Sequence, residues 1–193
     1  MANPPKILAF AGSAKETSLN KKLVQIAASG AKAAGAEVTY IDLKNLPMPL
    51  FDEDLEAQQG IPATVREFKD LMLAHQGLLI ACPEYNSSIT PLLKNVIDWA
   101  SRPEPNLPGL ACFNHKVAAL MSASPGGFGG MRGLVHVRAI LESIGVLVIP
   151  EQRSISQALE AFNEDGTLKD SKQQQDVENL GAKVANLLIK LSA

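Results

Sequence analysis

The chain has 193 residues, 46% of them hydrophobic and 20% charged, with 18 Lys and Arg set against 20 Asp and Glu. That length suits one well-cored domain, expected to span residues 1–193, and a formal net charge of −2 gives no electrostatic case for nucleic acid or an acidic membrane. The two cysteines, Cys82 and Cys112, exclude a disulfide framework and any CxxC metal or redox motif.

Residues 1–6 carry one Lys with no signal-like apolar region behind it, and no stretch is apolar for long enough to span a bilayer. A cytoplasmic setting without an integral membrane segment is the expectation. In chain order, KILAFAG (6–12) is a short apolar run of the kind that forms a parallel strand covered on both faces. Helical spacing follows from Ser18 to about Ala34, with Leu19, Leu23, Ile26 and Ala27 recurring, and Gly35 is placed to end it. EVTYIDL (37–43) reads as a second strand. The Pro-rich segment 45–62 is too long for a simple connector and is expected to be functional or to reach a partner subunit.

A helix over about 63–75, carrying Val65, Phe68, Leu71 and Met72 on one face, leads into GLLIACP (77–83), a third and fully apolar strand. A helix over about 90–101 precedes the fourth strand, KVAALMSA (116–123). The next helix carries Leu134, Val137, Leu141 and Ile144, and VLVIP (146–150) is the fifth strand. Residues 151–169 read as a loop, and a last helix covers about 170–191. Five strands alternating with five helices predict a doubly wound parallel sheet, for which two common strand orders remain.

Three loops lie where strands end and helices begin, the positions at which open α/β sheets build ligand sites. GSAKETSLN (12–20) offers the hydroxyls of Ser13, Thr17 and Ser18, the Asn20 amide and the Lys15 ammonium. Donors of this kind at a helix N-terminus suit a phosphate. Neither GxxxxGK[ST] nor GxGxxG is present, so the loop fits a terminal monophosphate better than a nucleotide triphosphate or a dinucleotide pyrophosphate. Ser18 is also a natural N-cap.

PEYNSS (83–88) places Glu84, Tyr85, Asn86 and Ser87 after a buried strand, the mixture of aromatic face and aimed polar groups that a flat heterocycle needs. SASPGGFGG (122–130) supplies small residues that let backbone approach a ligand, with Phe128 exposed. The helix at 90–101 is apolar on two sides. Its core face is Leu93, Val96, Ile97 and Ala100, while Leu92 and Trp99 occupy another side, which either packs Trp99 under a loop or, the reading preferred, forms a subunit interface.

Taken together the loops resemble those of the NADPH-dependent FMN reductase family, which includes quinone, azo and chromate reductases. GSAKETSLN resembles the family's GSxRxxSxN phosphate loop, with Lys15 where the family usually has Arg. PEYNSSITPLLKNVIDW (83–99) resembles its PEYNxSxxxxLKNxIDW signature almost position for position. The similarity in order and spacing runs from about residue 6 to 150.

The resemblance implies a three-layer flavodoxin-like fold with strand order 2-1-3-4-5 and FMN at the carboxyl ends of strands one, three and four. It places Ser13, Lys15, Ser18 and Asn20 on the FMN phosphate. Pro83, Glu84, Tyr85, Asn86 and Ser87 line the ring and ribityl chain, and Ser124, Gly126 and Gly127 approach the ring. It further implies an NAD(P)H oxidoreductase working by a ping-pong route, with NADPH or NADH as donor. Hydride passes to flavin N5 and then to a quinone-like, azo, metal-ion or flavin acceptor. No catalytic side chain and no metal are expected, because the chemistry is the cofactor's. The assembly expected is a homodimer or homotetramer with Leu92 and Trp99 near an interface. The competing reading is a flavodoxin-like FMN electron carrier that oxidises no nicotinamide.

Overall fold

The computed structural model describes residues 3–192. Five strands form a parallel sheet: β1 (Lys6–Ala11), β2 (Glu37–Tyr40), β3 (Gly77–Ala81), β6 (Val117–Ala123) and β7 (Leu147–Ile155). Their order is β2-β1-β3-β6-β7, which is the expected 2-1-3-4-5 once the short hairpin β4 (Glu84–Tyr85) and β5 (Ser88–Ile89) is counted separately. Alternate residues of each strand feed two cores, as the pleat requires. Ile7, Ala9 and Ala11 face one core with helices α1 (Leu19–Ala33) and α7 (Ser171–Leu191). Leu8 and Phe10 face the other, with α3 (Ala63–Ala74), α4 (Pro91–Ala100) and α5 (Met131–Ser143).

The chain leaves β1 toward β2 on one side and returns to β3 on the other. The point of reversal lies over β1 and β3, and the loops after these strands therefore face one another. That geometry is what places the site.

Three expectations need correction. The strand that begins at Leu147 does not stop at Pro150 but runs to Ile155. It lies at the sheet edge, where a proline's missing N–H breaks no ladder bond, and its pairing with β6 shifts register across Ala118 and Leu120. The Arg138 guanidinium donates to the carbonyls of Val148 (3.3 Å) and Ile149 (2.9 Å) at that irregularity.

Segment 45–62 is not structureless. It contains α2 (Glu53–Gln59), whose N-cap Asp52 accepts from the N–H groups of Asp54 and Leu55. It also packs on its own chain. Its Pro49 carbonyl accepts from Asn95 Nδ2 (2.9 Å) and Trp99 Nε1 (2.8 Å), and Asn95 Oδ1 accepts from Phe51 N (2.7 Å).

The third correction follows from the second. Trp99 is 0% exposed and meets Phe51 edge to face at 5.0 Å, so it is no interface residue. Leu92 is half-buried against the cluster that holds Leu93, Val96 and Ile97. The second apolar side of α4 is real, and at Trp99 the chain's own strap covers it.

Candidate functional site

The first loop, residues 12–18, is held by its neighbours rather than by itself. Gly12 N–H donates to the Ala81 carbonyl (2.9 Å), and the Thr90 hydroxyl donates to the Gly12 carbonyl (2.7 Å) while capping Leu93 N at the start of α4. A Cβ on Gly12 would lie 2.9 Å from Leu93 Cβ, so only glycine lets the first loop sit this close to α4.

Behind the loop, the Asn20 amide donates to the Ala123 carbonyl (2.8 Å) and accepts from Ala123 N (2.9 Å). It thereby pins α1 to the end of β6. Lys21 is buried against Asp42 at 2.5 Å, and Lys44 pairs with Glu16. Burial raises the Asp42 pKa, but hydrogen bonds from Lys21 and Lys44 outweigh it and hold the carboxyl below its ordinary value.

With the loop so fixed, its donors are left for something else. Ser18 occupies the N-cap position of α1, yet its side chain makes no capping bond, and the first turn of α1 has no acidic residue. The partial positive charge of this helix end therefore faces the cleft without an internal anion.

The second loop is a short hairpin. Glu84 and Tyr85 pair with Ile89 and Ser88, and the two residues between, Asn86 (φ 51) and Ser87 (φ 65), are left-handed. Two such residues make the I′ type of turn that suits the twist of a two-residue hairpin.

Glu84 ties this hairpin to α5. Its carboxylate accepts from Gly133 N (3.0 Å) and from Arg132 Nε (3.1 Å) and Nη2 (2.9 Å). Burial pushes its pKa up, but these donors prevail and keep it below the usual glutamate range. Arg132 in turn lies over the Phe128 ring at 5.0 Å. Tyr85 and Phe128 are 58% and 60% exposed.

The third loop, residues 124–130, packs against the end of β7. A Cβ on Gly129 (φ +59) would come within 2.8 Å of the Ile155 carbonyl carbon and 2.9 Å of Ser156 N. Gly127 by contrast has nothing within 4 Å of such a Cβ, and Gly126 has only the Ser124 hydroxyl at 3.8 Å.

These segments enclose a cleft of about 380 Å³ at the carboxyl ends of the strands, within the size range of cofactor sites. Of the residues singled out from sequence, Ser13, Lys15, Ser18 and Asn20 line it from the first loop. Pro83, Glu84 and Tyr85 line it from the second, and Ser124 from the third. Asn86, Ser87, Gly126 and Gly127 do not. Asn86 and Ser87 form the tip of the hairpin, beyond Tyr85.

Sequence reasoning missed Leu19, Ala123, Pro125 and Leu159 as lining residues. Leu159 had no usable signal, because it lies in the stretch read as a loop. Cys82 and Cys112 are buried and free, and burial pushes both thiols up in pKa. Among the described residues no helix is long and apolar enough to cross a membrane.

A doubly wound sheet with a phosphate-type loop at its switch point, facing an aromatic hairpin, defines a flavodoxin-like nucleotide-binding protein. The family model described as NADPH-dependent FMN reductase matches residues 5–160, and the chain belongs to that family. An NAD(P)H-dependent FMN reductase from Pseudomonas aeruginosa is 38% identical over 177 residues, 91% of this chain and 90% of its own. An NAD(P)H:quinone oxidoreductase from Solanum tuberosum is 35% identical over 191 residues, covering 96% of this chain and 94% of the relative.

Among solved structures, the flavoenzyme NAD(P)H:(acceptor) oxidoreductase from Paracoccus denitrificans superposes with a TM-score of 0.79 at 26% identity. That match covers 96% of this chain and 98% of the other. A flavodoxin from the Archaea, at 11% identity and a TM-score of 0.61, shares the fold.

The cleft fits FMN on its own terms. One end offers three hydroxyls and an ammonium at a helix N-terminus without a side-chain cap, which suits a monophosphate. The rest is walled by proline, tyrosine and aliphatic carbon, which suits the faces of a flat ring, with the polar groups of Glu84 and Ser124 among them.

Proposed function

We propose that the protein is an FMN-dependent NAD(P)H oxidoreductase that passes electrons from the nicotinamide to quinone-like, azo, metal-ion or flavin acceptors by a ping-pong route. The observation that carries this reading is one cleft holding both the open N-terminus of α1 and the hairpin bearing Tyr85, in a chain of this family.

Ser13, Lys15, Thr17 and Ser18 hold the cofactor's phosphate, each hydroxyl adding a donor to the α1 N-terminus. Lys15 contributes charge without the planar fork an arginine would bring. Asn20 serves by pinning the loop to Ala123. Pro83 and Tyr85 wall the ring, Glu84 fixes their hairpin on α5, and Ser124 borders it from the third loop.

Bound there, FMN supplies the two-electron chemistry that no side chain of this cleft could perform. The chain's own part is to bind, orient and exclude water. Donor and acceptor use one open mouth in turn, beside Tyr85 and Phe128. No histidine lines the cleft: His75 bonds Leu71 O and Thr39 Oγ1, and His136 bonds Ser88 Oγ.

The test is a visible spectrum followed by NADPH under anaerobic conditions. Flavin absorbance that bleaches, and returns when a quinone is added, is the expected result. Yellow protein that stays yellow would make it an electron carrier instead. Failure to bind FMN at all would remove both readings.

A further inference from the structure

One large apolar side chain at the cleft has no part in the account above. Leu159 is 73% exposed, yet it lines the cleft beside Ser124 and Pro125. A single exposed leucine ordinarily calls for no explanation. The mount of this one is unusual.

Leu159 stands on α6 (Ala158–Ala161), a single turn after β7 whose N-cap Gln157 is left-handed at φ 46. A non-glycine residue adopts that conformation only where its surroundings enforce it. They do so here from the third loop. Gln157 N–H donates to the Gly126 carbonyl (3.3 Å), and Ala158 N–H donates to the Ser124 carbonyl (3.1 Å). Gly129 packs flush on the Ile155–Ser156 backbone. Ala158 and Phe162 are buried on either side, and Lys169 N–H donates to the Ala161 carbonyl (2.9 Å). A strained, tethered turn thus holds one apolar side chain out at the cleft.

We propose that Leu159 is an apolar wall of the cofactor cleft, contacting bound FMN from the side of the edge strand and excluding water there. This rests on the FMN reading above. Its physical basis is that Leu159 loses solvent contact only when the cleft is filled, so the burial favours the bound state and not the fold. The third loop is bonded to the same turn, so its order and that of the wall are coupled.

The experiment titrates FMN into flavin-free protein, reading flavin fluorescence, with melting temperatures measured before flavin is added. Leu159→Ser is expected to weaken binding about tenfold, the effect of losing roughly half a leucine's burial. Leu159→Met should bind like the parent, as should the neighbouring Glu160→Ser. Flavin-free melting temperatures should not change.

If the parent binds FMN and Leu159→Ser binds equally well, the proposal is overturned while the oxidoreductase reading stands. A drop in flavin-free melting temperature for Leu159→Ser that accounts for the lost affinity would also overturn it, since Leu159 would then be a packing residue. If the parent itself binds no FMN, both fall together.

Discussion

Two connecting segments leave the carboxyl ends of neighbouring strands and are built by opposite rules. The strap after β2 saturates its groups on its own chain. Pro49 and Phe51 engage Asn95 and Trp99, Arg102 lies over Phe51 at 5.2 Å, and Arg102 also bonds Glu56. The loop after β1 is clamped from behind by Thr90, Asn20 and the Lys21–Asp42 pair. Its forward groups, the Ser18 hydroxyl and the Lys15 ammonium, line the cleft instead.

The contrast separates a structural connector from a binding one without reference to any relative. Buried polar groups must find partners inside the protein. Groups that a rigid frame leaves facing a cleft are available to a ligand.

Four variants can break or sharpen that contrast. Trp99→Ala should have the largest effect, removing a fully buried aromatic and leaving the Pro49 carbonyl short of a donor. About 3–5 kcal/mol of stability should be lost in chemical denaturation, with FMN affinity of the folded fraction close to the parent's. A collapse of affinity in protein that is still folded would show the strap to be part of the site.

Next in size, Lys15→Ala combined with Ser18→Ala should cost about 1.5–3 kcal/mol in FMN binding, the worth of hydrogen bonds to a charged group. Flavin-free stability should barely move, because neither side chain makes a capping or pairing contact in the fold. Equal affinity in this double variant would sink the phosphate assignment.

Glu84 gives a pH prediction. Its folded pKa lies below the ordinary 4.5. Its stabilisation is therefore complete above that value and is lost as pH falls through the lower folded one. Glu84→Gln should flatten this part of the acid limb of a stability-against-pH curve, and loosen the hairpin from α5. An acid limb identical to the parent's would mean that the carboxylate does not hold the hairpin.

The smallest effect belongs to Ser87→Gly. Relief of a left-handed serine, offset by the greater freedom of glycine in the unfolded chain, should stabilise by about 0.5 kcal/mol. A destabilised variant would point to a role for the Ser87 side chain that the hairpin geometry does not reveal.

Much of this organisation was legible in the residues. The apolar runs 6–12, 77–83 and 116–123 marked strands because parallel strands covered on both faces have no polar alternation. The donors of GSAKETSLN and the aromatic and polar mix of PEYNS pointed to a ligand because their chemistry is carried by residue type. Where reading stopped short, the missing information was long-range. Pro150 looked like a terminus until the strand proved to be an edge. The two apolar sides of α4 correctly announced burial on both, but a helix records only that a side is covered, and the partner proved to be a strap some fifty residues earlier.

The amino-acid sequence by itself determined the alternation of strands and helices, the loop chemistry and the family, since each depends on local pattern. Tertiary structure alone decided which groups remain free at the cleft. Asn20 was absorbed by Ala123, the Ser18 hydroxyl was not used as a cap, Trp99 was turned inward, and Leu159 was brought from beyond the last strand to the cleft wall. Hydrogen-bond satisfaction and burial are properties of the whole packed chain, and no local window contains them.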